Sequence, residues 1–223
     1  VEFAECLEGI KEAWEFLNYP VVSGNVSFYN GTNKKNIDPT PVIGGVGLIK
    51  KLTKPLSHNF KKDKSNILLI GKTFGHLEQS CFLKENYSII DGMPPEINLL
   101  NEKNNGECLL GLIDKNLILS SHDISSGGLI TALSEMTLTS NFGAKITKPK
   151  KLTNLFQYFF GEDQARYIVE VENMNLTKVE KLLKDNDIYF ENIGFTQKEY
   201  LEIEGELKIN TKDLFKINNE CLN

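Results

Sequence analysis

Apolar side chains return at Phe3, Leu7, Ile10, Trp14 and Leu17, spacings of four and three that line one face of a helix. No capping residue precedes this stretch, which begins directly at Val1. The rhythm then changes. Pro20 to Gly31 reads as a strand that carries Gly24, Asn25 and two serine hydroxyls and ends in the turn pair Asn30-Gly31. A second apolar run follows at 41–49, and Asn-Gly between apolar runs predicts a hairpin. Two strands do not bury a face of their own. Residues 1–52 are therefore expected to be the C-terminal remnant of a domain whose earlier part lies upstream.

A polar linker with Pro55, His58 and several lysines opens the second expected domain, 53–223. Asn66 to Ile70 reads as a buried strand, 71–75 as a turn and 77–84 as a short helix. A helix over 107–116 is expected to bury Leu109, Leu110, Leu112 and Ile113. Next come an apolar strand from Leu117, a Ser/Gly turn and a helix over 129–138, then a loop at 141–143 and a helix from Thr153. Tyr167 to Val171 reads as a strand and 176–183 as a helix. Strand-like runs at 188–190 and 193–195 precede a hairpin over 201–209 that turns near Gly205, and a helix at 212–216 ends the pattern. Helices interleaved with short strands predict a mixed α/β sandwich.

Composition changes this picture little. The chain has 223 residues, 40% hydrophobic and 25% charged, with a formal net charge of -5. That balance is ordinary for a globular protein and offers no electrostatic case for a nucleic-acid partner. Cys6, Cys81, Cys108 and Cys221 are widely spaced with no CxxC, so reduced thiols are expected in place of a zinc site or disulfide framework. No apolar run approaches the roughly 18 residues of a membrane span, and no signal-peptide pattern appears, so no membrane partner is expected and the cytoplasm is the expected compartment. Arg166 is the sole arginine, a candidate for a specific pairing, with a surface position the ordinary expectation.

Four stretches carry candidate chemistry. In the first strand, Gly24 permits close backbone approach, Asn25 offers an amide oxygen to a hard cation and Ser27 a hydroxyl on the same face; a solvated hairpin would show the same alternation. Gly71-Lys72-Thr73 follows a strand, but a phosphate loop needs a glycine where Asn66 stands. His122-Asp123 precedes Ser125-Ser126-Gly127-Gly128, a strand-turn-helix start where backbone N–H groups can meet an anion. There the alternative is a serine cap with a hydrogen-bonded structural histidine. Glu162-Asp163 beside Gly161 reads either as a cation-ligand pair or as a turn.

Taken together, Val22-Ser23-Gly24-Asn25-Val26-Ser27-Phe28-Tyr29-Asn30 with Pro39-Thr40-Pro41-Val42-Ile43-Gly44 resembles the second half of the synthetase subunit of formylglycinamidine ribonucleotide synthases. Pro94-Pro95-Glu96, Asn105-Gly106-Glu107, the run from His122 to Met136 and Phe160-Gly161-Glu162 follow in that family's order. The resemblance implies the C-terminal domain of the aminoimidazole ribonucleotide synthetase-like fold, preceded by a remnant helix and β-hairpin of the N-terminal domain. It also implies an ATP-dependent, glutamine-using carbon–nitrogen ligase of purine biosynthesis with Mg²⁺. Carried over, Gly24 lies at ATP, Asn25 at Mg²⁺ and Ser27 at the ribonucleotide. Asp123, Glu162, Asp163 and Gln164 match an auxiliary nucleotide site, although the family usually shows Glu-Ser-Gln where this chain has Glu-Asp-Gln. The catalytic histidine and most metal carboxylates of the family belong to its first half, so the fragment alone is expected to be inactive. Its implied partners are the missing N-terminal part of the subunit and, with Asn223 read as the natural C-terminus, a separate glutaminase subunit and a small bridging subunit. A single-repeat aminoimidazole ribonucleotide synthetase and a non-catalytic interaction scaffold are the alternatives.

Overall fold

The computed structural model describes residues 2–27, 29, 31–37, 40–49, 55–149 and 154–220. Phe28, Asn30, Pro39, Thr153 and Cys221, which figure in the expectations above, lie outside the described residues. The chain divides into two compact units, Val1–Lys54 and Pro55–Asn223.

In the first unit the periodic stretch forms α1 (Glu2–Leu17), yet Phe3, Leu7 and Leu17 of its apolar stripe remain exposed. A two-residue hairpin follows, β1 (Gly31–Thr32) antiparallel to β2 (Lys35–Asn36). It differs from the predicted one. The turn falls at Asn33 and Lys34, both left-handed with φ of 51° and 63°, and the described residues of 21–27 and 40–49 form no strand. Two consecutive positive φ values are what a tight hairpin turn requires. So short a ladder gives the flanking apolar runs no sheet to join.

The second unit is built on seven strands: β3 (Asn66–Ile70), β4 (Ser120–Asp123), β5 (Phe142–Ile146), β6 (Tyr167–Val171), β7 (Phe190–Lys198), β8 (Tyr200–Ile203) and β9 (Leu207–Asn210). Their order is β4-β6-β3-β7-β5-β8-β9, antiparallel throughout except for the β5/β8 pair. Strand β7 takes in the predicted run at 193–195 and only Phe190 of the run at 188–190, with a register shift opposite Ile67 and Leu68. At that irregularity Gly194 has φ 153°, and a Cβ there would stand 2.0 Å from the Lys145 carbonyl oxygen.

Strand alternation sends side chains to opposite faces. Ile67 and Leu69 pack with Leu129, Ala132, Leu133 and Met136 of α4 (Gly128–Leu138) and with Tyr158 and Phe159 of α5 (Leu155–Phe160). Leu68 and Ile70 pack on the other side with Leu112 of α3 (Leu99–Asp114) and with Val179 and Leu183 of α6 (Asn173–Asp185). Covered on both faces, β3 reads as an unbroken apolar run. The expected α/β sandwich is therefore present, its sheet forming the middle layer.

Helix boundaries moved where capping competes with periodicity. A short helix, α2 (Cys81–Tyr87), begins only after Ser80, whose Oγ accepts the Leu83 N–H at 3.3 Å. Helix α3 starts at Leu99, well before the predicted 107, because Asn98 Oδ1 accepts the Asn101 N–H at 3.0 Å. The polar run 101–105 hid that start, and Leu110, expected inside, is exposed. Residues 142–143, expected in a loop, open β5, and a final helix α7 (Thr211–Glu220) extends beyond its predicted 212–216.

Candidate functional site

Three loops meet at one end of the sheet: 71–76 after β3, 124–128 after β4, and 161–166 before β6. They are in close backbone contact. Gly128 has φ 71°, and a Cβ there would come within 2.7 to 2.8 Å of backbone atoms of residues 159–161, so only glycine fits this approach.

The neighbouring carboxylates of the third loop have different environments. Glu162 Oε1 accepts the Gly127 N–H at 2.7 Å and the Cys81 N–H at 2.8 Å, tying together the starts of α4 and α2. Neither Ser125 nor Ser126 caps α4. Its N-cap is Gly127, and the anion expected at this helix start is, at least at Gly127, the protein's own carboxylate. Asp163 turns inward and is 4% exposed. Its Oδ2 accepts the N–H groups of Phe74 and Gly75 at 3.0 and 2.9 Å, and its Oδ1 that of His76 at 3.1 Å. Arg166, expected at the surface, is instead 1% exposed. It donates to the carbonyls of Gly161 and Asp163 and to Thr73 Oγ1, and lies 3.8 Å from Asp163 Oδ2. Burial pulls the Arg166 pKa down and the Asp163 charge opposes that shift.

A cavity of about 340 Å³ opens beside these loops, lined by Asp123, Ser125, Ser126, Glu162, Gln164 and Arg166, with Pro95, Glu102 and Tyr167 completing the wall. The structure thus brings together three of the four predicted auxiliary residues and leaves Asp163 behind the wall. Burial raises the Glu102 carboxyl pKa, the Ala165 backbone pulling it partly back. Burial also raises Tyr167, with the Glu102 and Asp123 charges adding to the shift. Sequence reasoning missed Glu102 and Tyr167; the Asn98 cap would have put Glu102 in the first turn of a helix. His122 does not line the cavity. Its Nε2 lies 3.1 Å from Glu135 Oε2 and its Nδ1 3.4 Å from Asp123 Oδ1.

In the first unit Gly24, Asn25 and Ser27 are exposed, and a Cβ on Gly24 would meet nothing within 4 Å. Another cavity, about 410 Å³, lies between α3 and α6 and holds Glu107, Lys115 and Cys108, whose thiol pKa burial raises, but none of the predicted residues.

A mostly antiparallel sheet clad by helices on both faces, with an acid-lined cavity where its loops converge, defines a mixed α/β class of domain. More particularly, the chain belongs to the AIR synthase related protein family, matching its C-terminal domain over residues 66–204. It is 48% identical to the phosphoribosylformylglycinamidine synthase subunit PurL of Pelagibacter ubique, over 96% of this chain and 30% of that protein. The chain thus spans under a third of the length of that relative. Among solved structures, T. maritima PurL complexed with FGAR superposes with a TM-score of 0.59 at 15% identity, covering 72% of this chain and 29% of that one. T. maritima PurL complexed with ATP gives 0.55 at 13% identity, covering 72% and 27%. At these identities the structures bear on the fold alone.

Proposed function

We propose that this chain is the C-terminal portion of the large subunit of a formylglycinamidine ribonucleotide synthase, acting in the cytoplasm in purine biosynthesis. The carrying observation is the 48% identity to a PurL subunit across 96% of the chain. The reaction joins glutamine-derived ammonia to formylglycinamide ribonucleotide with ATP: phosphorylation of the amide oxygen makes a leaving group, and ammonia displaces phosphate. Catalysis of such transfers rests on positioning and charge stabilisation. In this reading Gly24 lets ATP approach the backbone, Asn25 gives an amide oxygen to Mg²⁺ and Ser27 meets the ribonucleotide. Asp123, Glu162 and Gln164 serve an auxiliary nucleotide, while Asp163 supports them from behind. The rest of the subunit, a glutaminase subunit and a bridging subunit complete the enzyme, and the chain alone is inactive.

Among the described residues no three His, Cys, Asp or Glu side chains are grouped to hold a metal. Magnesium does not require such a group. One or two carboxylates with nucleotide phosphates suffice, and Asp123 and Glu162 in one cavity wall fit that chemistry. When bound, the ion neutralises phosphate charge. The test is turnover by the full-length protein with formylglycinamide ribonucleotide, ATP, Mg²⁺ and an ammonia source, read as phosphate release. Asn25→Ala is expected to lower turnover at least about tenfold, ~1.4 kcal/mol in the barrier. Unchanged ATP and Mg²⁺ dependence would remove Asn25 from the metal site, and no turnover by the unaltered protein would remove the proposed reaction.

A further inference from the structure

Ala165 has φ 56°, a left-handed conformation that costs a residue with a Cβ free energy. It stands in the cavity wall between Gln164 and Arg166. The surroundings hold it there. Its carbonyl accepts from Asn105 Nδ2 at 2.8 Å, and its backbone also bonds to the Glu102 carboxylate. The next residue, Arg166, is buried against Gly161, Asp163 and Thr73, and its own carbonyl accepts the Ile124 N–H at 2.9 Å. Asp163 fastens the same turn to loop 71–76 through three N–H groups.

We propose that Arg166 is a positioning residue: with Asp163 it clamps the 161–166 turn in its left-handed form, so that Glu162 and Gln164 are presented to a nucleotide in the cavity. A guanidinium suits this role because its planar fork serves several oxygens at once, which an ammonium on a flexible stem does not. Thr73, Gly161 and Asp163 lie on two different loops, so one side chain registers both against the cavity. The inference rests on the auxiliary-nucleotide reading above.

The test is Mg-ADP binding to the 223-residue chain by calorimetry, with thermal melting in parallel. Gln164→Ala is expected to weaken binding about tenfold and Arg166→Lys by a similar factor. Because Arg166 acts through the turn that carries Gln164, the double variant should be no more than about twofold weaker than either single one, a failure of additivity that marks coupling. Additive losses would overturn the proposal. Thr73→Val removes the hydroxyl that accepts from Arg166 on loop 71–76 and keeps the assay informative if Arg166→Lys does not fold. Mg-ADP binding should weaken at least threefold or so as the turn loosens, while the melting temperature changes little. Unchanged affinity in Thr73→Val would overturn the clamp even if the unaltered chain binds nucleotide. Absence of Mg-ADP binding to the unaltered chain would instead overturn the auxiliary-site reading, and the proposal with it.

Discussion

In the Val1–Lys54 unit, Val22 and Val42 are 91% and 92% exposed, and Gly24, Asn25 and Ser27 are exposed on chain that is neither helix nor strand. In the Pro55–Asn223 unit, Leu68, Leu133 and Val169 are fully buried, and Glu162 and Gln164 stand on a turn gripped by two other loops. Both units carry apolar runs and polar candidates in the sequence. They differ in what their apolar groups are packed against. Seven strands with helices on both faces bury enough surface to hold loops rigidly, whereas a two-residue ladder does not. A candidate side chain becomes a defined site only where such a framework fixes its backbone.

The contrast is sharpened most by Leu133→Ala in the core of the second unit, expected to cost about 2–5 kcal/mol on denaturant unfolding because it leaves a cavity. Next comes Glu170, a fully buried carboxylate that accepts the Lys61 and Lys62 N–H groups and the Ser120 hydroxyl. Burial raises its pKa above the ordinary 4.5, its hydrogen bonds only partly opposing the shift. The folded carboxyl thus holds its proton more tightly than the unfolded one. Its contribution to stability is complete below the unfolded value and is lost as pH rises through the folded value. Melting temperatures across that window should fall with pH in the parent protein and fall less in Glu170→Gln; equal slopes would mean that Glu170 does not govern the window. A smaller loss, about 1 kcal/mol, is expected for Asn98→Ala, which removes the α3 cap. The smallest belongs to the first unit, where Val42→Ala should stay within about 0.5 kcal/mol. A larger loss there would show that Val42 is packed and would break the contrast.

Much of the second unit was legible in its residues. Asn66 to Ile70, Tyr167 to Val171 and the Gly205 hairpin announced themselves through short, mostly apolar runs or a turn glycine, signals that act within a few residues. Errors gathered where a polar residue had a structural task. Asn98 started a helix through a run that looks like loop, and Arg166 entered the interior because Asp163 and two carbonyls were waiting for it. The hairpin of the first unit was misplaced for another reason: Asn30-Gly31 and Asn33-Lys34 both read as turns in the sequence, and no residue nearby marks which one closes the ladder.

Local periodicity and ordered motifs were enough for the α/β class, for family membership and for the neighbourhood of Asp123, Glu162 and Gln164. The opposite fates of Glu162 and Asp163 were not available locally. Glu162 lines the cavity and ties two helix starts together, while Asp163 is buried under three amides. The N–H groups that decide between them belong to Phe74, Gly75, His76, Cys81 and Gly127, all far away along the chain. Only tertiary structure brings those donors into place, because a carboxylate follows the hydrogen-bond donors that surround it in space and not its neighbours in sequence.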